Sequence, residues 1–265
     1  LIEHAVEIKE YYVLGISGQL FIKEWMPDRV VNETPIMLFH DSLGCSEMWY
    51  NFPELLARLL SRRVISYDRF GFGQSEPNTV PALHTFIEDE VMGDFPAVKR
   101  HLGIKAYIAI GHSIGGVIGV HLAGIDEDCL SVITISSPPY VEEKTFQGIR
   151  DAKQFFSQSS AMDRLSKWHG NKAHWVVASW VDIWLSPAYS SWNLYDQLSR
   201  IKCPTLAIHG DNDEYGSLAF PERIASRVSG IGQYAILKNC GHVPHKEQPE
   251  ALLREISVFI NAYNV

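Results

Sequence analysis

The sequence predicts an α/β fold: a sheet of about eight mostly parallel strands, helices on both faces, and a helical cap inserted into the second half of the chain. Three observations predict it. Short uninterrupted apolar runs alternate with amphipathic helical stretches over most of the 265 residues, as expected for strands buried on both faces. One run, Ile108-Ala109-Ile110, passes through Gly111-His112-Ser113-Ile114-Gly115 into an apolar helix, which sets a serine on a turn too tight for side chains two positions to either side. Finally, the rhythm breaks between Pro138 and Lys202, a stretch too long for a simple connection.

Taken in order, residues 5–14 and 19–25 read as antiparallel strands joined through Gly15–Gly18. Pro35–Phe39 is a continuous apolar strand. Asn51–Ser61 is a helix with Pro53 in its first turn and Leu55, Leu56, Leu59 and Leu60 inward, and Arg63–Tyr67 is the next strand, completing a βαβ unit. A helix over 85–102, bent at Pro96, presents Val91, Phe95, Val98 and Leu102 on one face. The strand and helix around Ser113 follow. Leu130–Ile135, Thr205–Ile208 and Tyr234–Leu237 are further strands, and Leu252, Leu253, Ile256, Phe259, Ile260 and Tyr263 mark a closing amphipathic helix. The core is therefore assigned to 1–137 and 201–265, and the cap to 138–200. Five of the seven tryptophans fall in the interrupted stretch: Trp168, Trp175, Trp180, Trp184 and Trp192. Trp180 and Trp184 share helical spacing with Val177 and Val181, which suits a cap core and also a pocket wall.

Composition narrows the function. With 46% apolar residues the chain buries a large core, and a net charge of -8 without a Lys/Arg stripe argues against nucleic acid. Ala106–Ile125 has no formal charge, but five glycines, two histidines and a serine make it a strand followed by a helix against the sheet, with no membrane span. Glu3, Glu7, Lys9 and Glu10 stand where a secretory leader would have its apolar core. Cys45, Cys129, Cys203 and Cys240 are widely spaced, which disfavours zinc and suits reduced thiols in the cytoplasm. Gly71 and Gly73 lack the third glycine of a dinucleotide fingerprint, and no phosphate loop occurs, so no cofactor is expected.

In open parallel sheets, ligands meet the protein beyond the carboxyl ends of the strands. Those ends carry His40-Asp41-Ser42-Leu43-Gly44, Asp68–Ser75, Ser113, Gly210-Asp211-Asn212-Asp213-Glu214 and Gly241-His242-Val243-Pro244-His245. A serine hydroxyl becomes nucleophilic when a histidine takes its proton and a carboxylate orients that histidine. The order Ser113, Asp213, His242 meets this need, with Asp213 favoured over Asp211 because the residue next to the glycine stays in the turn. Among the other histidines, His112 is expected to face away along the turn, and His245 to be a surface residue or to support the site. A metal pair of His242 with His245 is disfavoured, because no further ligand lies in register. The sixth strand ends in Ser136-Ser137-Pro138-Pro139-Tyr140 and offers no carboxylate. The backbone N–H groups of Ile114 and Ser42 are expected to hold an oxyanion, with Leu43 as the alternative to Ser42. Asp68 and Arg69 are expected to be structural. Pocket walls are expected from His40, Leu43, Met48, Trp49, Trp180 and Trp184.

Together, His40–Gly44, Tyr67–Ser75, Gly111–Gly116, Gly210–Asp213 and Gly241-His242 with Glu247-Gln248-Pro249 resemble the α/β-hydrolase superfamily over nearly the whole chain. Ser42-Leu43-Gly44 followed by Met48-Trp49 is similar to the oxyanion loop of β-ketoadipate enol-lactonases, and the helical cap is similar to that of small carboxylesterases. The resemblance implies a serine hydrolase that cleaves a carboxylic ester, lactone or thioester of a small, largely apolar substrate. Carbon–carbon bond hydrolases share the triad but usually carry a Gly-rich loop where this chain has Ser42–Cys45, and a non-catalytic ligand receptor would usually have lost a triad member. The chain departs from the superfamily at Asp41, where glycine is usual. A carboxylate there must point away from the oxyanion or have its own role.

Overall fold

The computed structural model describes residues 5–265, so Glu3 of the leader reading lies outside the described residues. The chain opens with the hairpin β1 (Val6–Leu14) and β2 (Gln19–Pro27), in which Val6 faces Pro27 and Leu14 faces Gln19. There follow β3 (Ile36–Phe39), α1 (Phe52–Leu60), β4 (Val64–Tyr67), α2 (Phe86–Asp89), a π-turn over Glu90–Asp94 and α3 (Phe95–His101). Next come β5 (Tyr107–His112), α4 (Ile114–Ile125) and β6 (Cys129–Ile135). The insertion holds α5 (Glu143–Phe156), α6 (Ser159–His169) and α7 (Ala173–Trp184), and then α8 (Tyr195–Arg200) leads into β7 (Thr205–Gly210). The chain closes with α9 (Ala219–Arg227), β8 (Gly232–Leu237), α10 (Pro244–Glu247) and α11 (Pro249–Tyr263). The strand order is β1-β2-β4-β3-β5-β6-β7-β8; pairs involving β2 are antiparallel and the rest parallel.

Strand alternation divides the interior into two cores. Ile36, Leu38, Ile108 and Ile110 face α1 and α11, while Met37, Phe39, Tyr107 and Ala109 face α3 and α4. Covering both faces hides the sheet and leaves the carboxyl ends of its strands open to the inserted helices α5 and α7. No described helix is long and apolar enough to cross a membrane, and all four cysteines are free thiols.

Four local expectations change. Leu59 is 52% exposed, because the inward stripe of α1 is Phe52, Leu56, Ala57 and Leu60, and Leu59 falls off that stripe. Leu130 sits 37% exposed at the start of β6, where helix cover has not yet begun. The bend expected at Pro96 is spread over the π-turn before it: proline has no N–H to give four residues back, and the wider turn re-registers the ladder. Lastly, α8 packs against α4, so the end of the expected cap stretch returns to the core layer.

Candidate active site

Ser113 holds the strained backbone that its turn requires, with φ 53° and ψ -119°. Its neighbours explain the glycines. A Cβ on Gly111 would lie 2.1 Å from the carbonyl oxygen of Gly115, and one on Gly115 would lie 1.9 Å from that of Phe39. Without side chains there, the start of α4 comes down against the end of β3. The Ser113 N–H donates to Ile135 O at 2.8 Å, which ties the turn to β6. The N–H of Ile114 lies in the first helical turn, beyond the reach of any intrahelical carbonyl.

After β7, Asp213 turns inward, with Oδ2 2.9 Å from His242 Nδ1 and Oδ1 accepting the Tyr215 N–H at 2.8 Å. Burial alone would raise the Asp213 carboxyl, but His242 outweighs it and holds it at about 2. For His242, burial favours the neutral ring, and the Asp213 charge and hydrogen bond more than reverse this, raising it above the ordinary imidazole value. Asp211 stays in the turn, where Oδ1 accepts the Cys240 N–H at 3.3 Å. A second imidazole, His209 on β7, lies 3.4 Å from the same Asp213 oxygen, and burial keeps it below its ordinary value.

The loop after β3 is pinned on several sides. Asp41 Oδ1 accepts the Leu43 N–H at 2.7 Å, and Oδ2 lies 2.9 Å from His112 Nδ1. Burial opposes the Asp41 charge, yet His112 holds the carboxyl well below the usual range. His112 Nε2 donates to the carbonyl of His242 at 2.7 Å, so His112 braces the loop that carries His242 instead of facing away. The Leu43 N–H is thereby occupied, whereas the Ser42 N–H makes no hydrogen bond among the described residues. His169 of the cap donates from Nε2 to Leu43 O at 2.9 Å and accepts the Gly73 N–H at Nδ1, 2.8 Å away. Arg69 donates to Asp41 O at 2.8 Å, and Asp68 accepts the N–H groups of Ser46 and Gln74.

Ser113 and His242 line one cavity of about 210 Å³ that α5 and α7 also wall, together with Ser42, Leu43, Met48, Trp180 and Trp184. His40 and Trp49 do not reach it, contrary to the sequence expectation. His40 is buried, donating from Nδ1 to Asp41 O at 2.8 Å and accepting the Arg69 N–H at Nε2, while Trp49 packs on Phe52 and His245. Both are consumed by the loop's own packing. His245 is likewise interior, held by burial at about 3. Sequence reasoning missed Thr145 and Ile149 of α5 and Tyr215 and Phe220 beyond β7, all of which line the cavity. The i, i+4 spacing of Thr145 and Ile149 was the available signal. Thr145 also donates to Tyr215 O at 2.8 Å, fastening α5 to the loop after β7.

Among the described residues, no group of three or more His, Cys, Asp or Glu is arranged to hold a metal ion. Residues 36–255 match the profile of the Alpha/beta hydrolase family. A proline iminopeptidase of Lactobacillus helveticus is 25% identical over 278 residues, covering 86% of this chain and 92% of the relative. Of solved structures, the enol-lactonase from Burkholderia xenovorans LB400 is similar with a TM-score of 0.73 at 20% identity, covering 95% of this chain and 100% of the other. The 2-hydroxy-6-oxo-6-phenylhexa-2,4-dienoate hydrolase from Rhodococcus sp. strain RHA1 is similar with a TM-score of 0.79 at 16% identity, covering 97% of this chain and 100% of the other.

Proposed function

The chain belongs to the alpha/beta hydrolase family and is a hydrolase by that membership, and on that premise we propose that it cleaves a small, largely apolar carboxylic ester or lactone through an acyl-enzyme on Ser113. One observation above all supports this reading. The strained Ser113 turn and the His242 ring share a cavity, and the far nitrogen of that ring is bound to a buried carboxylate.

His242 Nε2 takes the Ser113 hydroxyl proton as Oγ bonds to the substrate carbonyl carbon. The oxygen that becomes negative is met by the N–H groups of Ile114 and Ser42, which need no reorganisation to receive it. Collapse breaks the bond to the alkoxy group, which leaves with the proton from His242. Water then gives a proton to His242 and attacks the acyl carbon, and Ser113 regains its proton as the acid departs. Leu43, Met48, Trp180 and Trp184 supply the apolar walls. The reaction calls on no cofactor or metal, and the four free thiols suit a reducing, cytoplasmic setting.

The test is labelling of Ser113 by a fluorophosphonate, located by mass spectrometry, beside a panel of p-nitrophenyl esters, lactones, a proline amide and a vinylogous diketone ranked by kcat/KM. Esters or lactones should lead the panel, and Ser113→Ala should lower turnover on the order of a millionfold. Undiminished ester hydrolysis by that variant would end the proposal. A leading diketone would move the reading to carbon–carbon bond cleavage, and an unreactive serine to a ligand receptor.

A further inference from the structure

A second cavity of about 300 Å³ adjoins the first, sharing Ser42, Trp180 and Trp184 with it. Its lining is different in kind. Here Arg69, Asp89, Glu90 and Asp94 stand among aromatic rings, those of Phe72 and Trp175 included. The hydrolytic mechanism uses none of these side chains.

Arg69 is 5% exposed. Its guanidinium donates to Asp41 O and lies 4.3 Å from the ring centre of Phe72, but Nε has no hydrogen-bond partner among the described residues. A buried N–H without an acceptor costs free energy, and the Arg69 side chain lines this cavity, which marks it as the donor for a ligand oxygen. The same lining carries acceptors. Asp94 receives the N–H groups of Ile16 and Ser17 at 2.8 and 2.9 Å, and Glu90 receives the Tyr67 hydroxyl. Burial pushes the Glu90 carboxyl up to about 7 against the Tyr67 bond and the Arg69 charge, so it accepts or donates near neutrality.

This mixture selects against charge. A carboxylate drawn to Arg69 would be repelled by Asp89, Glu90 and Asp94, and a cation drawn to the acids would meet Arg69. A neutral group that carries several hydroxyls satisfies both, accepting from the guanidinium and donating to the carboxylates, while the aromatic rings cover its C–H faces.

We propose that the second cavity binds the neutral, polyhydroxylated end of the substrate, whether a glycerol-like alcohol or a hydroxylated acyl group, with Arg69 as the donor that selects it. The proposal rests on the ester-hydrolase reading of the first cavity, which would take the apolar end.

The test compares kcat/KM within two pairs: glycerol monobutyrate against propyl butyrate, and ethyl 3,4-dihydroxybutyrate against ethyl butyrate. The hydroxylated member of one pair should lead by tenfold or more, and which pair responds tells whether alcohol or acyl enters the second cavity. Arg69→Met should bring that ratio near unity. Because Arg69 also holds the Asp41 carbonyl, Ser179→Phe serves as an independent variant that fills the cavity from α7, and it should abolish the preference likewise. Parity in both pairs for the wild type, or a preference that survives the variants, overturns the proposal. So does a better choline or succinate monoester than either hydroxylated ester. Calorimetric binding of glycerol monobutyrate, propyl butyrate and the second pair to Ser113→Ala needs no turnover. A tenfold tighter hydroxylated ligand there supports the cavity even if none of the four esters is hydrolysed by the wild type, the result that sinks the serine-hydrolase reading alone.

Discussion

Two aspartate–histidine pairs lie side by side at the carboxyl end of the sheet, Asp213 with His242 and Asp41 with His112, and both close Nδ1 to Oδ2 at 2.9 Å. They differ in the other ring nitrogen. His112 Nε2 donates to the His242 carbonyl at 2.7 Å, so both nitrogens of that ring are engaged by the protein. His242 Nε2 makes no hydrogen bond among the described residues, and its ring lines the cavity with Ser113. A carboxylate partner therefore does not mark a catalytic base. In the proposed mechanism the second nitrogen does, and the Asp41–His112 pair holds the loop that carries His242.

The largest effect that tests this contrast is that of Asp213→Asn. It should lower kcat on the order of ten-thousandfold, as loss of the orienting carboxylate does in serine triads. It should also move the pH profile. In the proposed mechanism His242 acts as the neutral ring, and its pKa is raised, so wild-type kcat/KM should climb with pH through a midpoint above the ordinary imidazole value of about 6.5. Without the Asp213 charge the largest upward influence is gone, burial is opposed only by the Glu214 and Asp41 charges, and the midpoint should fall. A midpoint that stays put, read from kcat/KM between pH 5 and 9, would show that Asp213 does not support this base.

Asp41→Asn comes next. It removes the partner of His112 and weakens the hold on the Leu43 N–H, but touches no reacting atom, so kcat should drop about 10- to 100-fold, as for partners that orient a ligating or reacting group. Stability should suffer more plainly, by up to about 3 kcal/mol in urea unfolding, because a largely buried pair loses one member. If Asp41→Asn instead matched Asp213→Asn in kcat while remaining as stable as the wild type, the two pairs would have equal rank and the contrast would fail.

What was legible in the sequence had local physics behind it. The tight turn at Ser113 was legible because Gly111 and Gly115 leave no room for a Cβ, and the placement of Asp213 and His242 because each follows a strand end in one sheet. The strands showed as apolar runs because both faces are covered. Side-chain direction across long separations was not legible. Asp41 and His112 are 71 residues apart and His169 and Leu43 are 126 apart, and nothing near any of them announces the bond. His40 and Trp49 illustrate the same limit: their place beside the oxyanion loop was readable, but whether they face the cavity or the layer behind it depends on Arg69 and His245.

The smallest effect concerns how these histidines act on stability. His242 has a raised pKa, so its contribution is fully present below about 6.5 and is lost as pH rises through the folded value. His40 and His169 run the other way. Burial lowers both, and each accepts a backbone N–H on one ring nitrogen, from Arg69 and Gly73 respectively, which a proton there would break. Their contribution is present above about 6.5 and is lost as pH falls toward their folded values. The protein should therefore weaken between pH 7 and 5, with the cap joint at His169 among the parts affected. Glutamine at 169 keeps an acceptor and a donor but does not titrate. His169→Gln should flatten that fall by roughly 1 kcal/mol in urea unfolding at the two pH values. An unchanged slope would mean that His169 does not couple the cap to pH, and that the raised base and the lowered structural rings do not oppose each other as their hydrogen bonds imply.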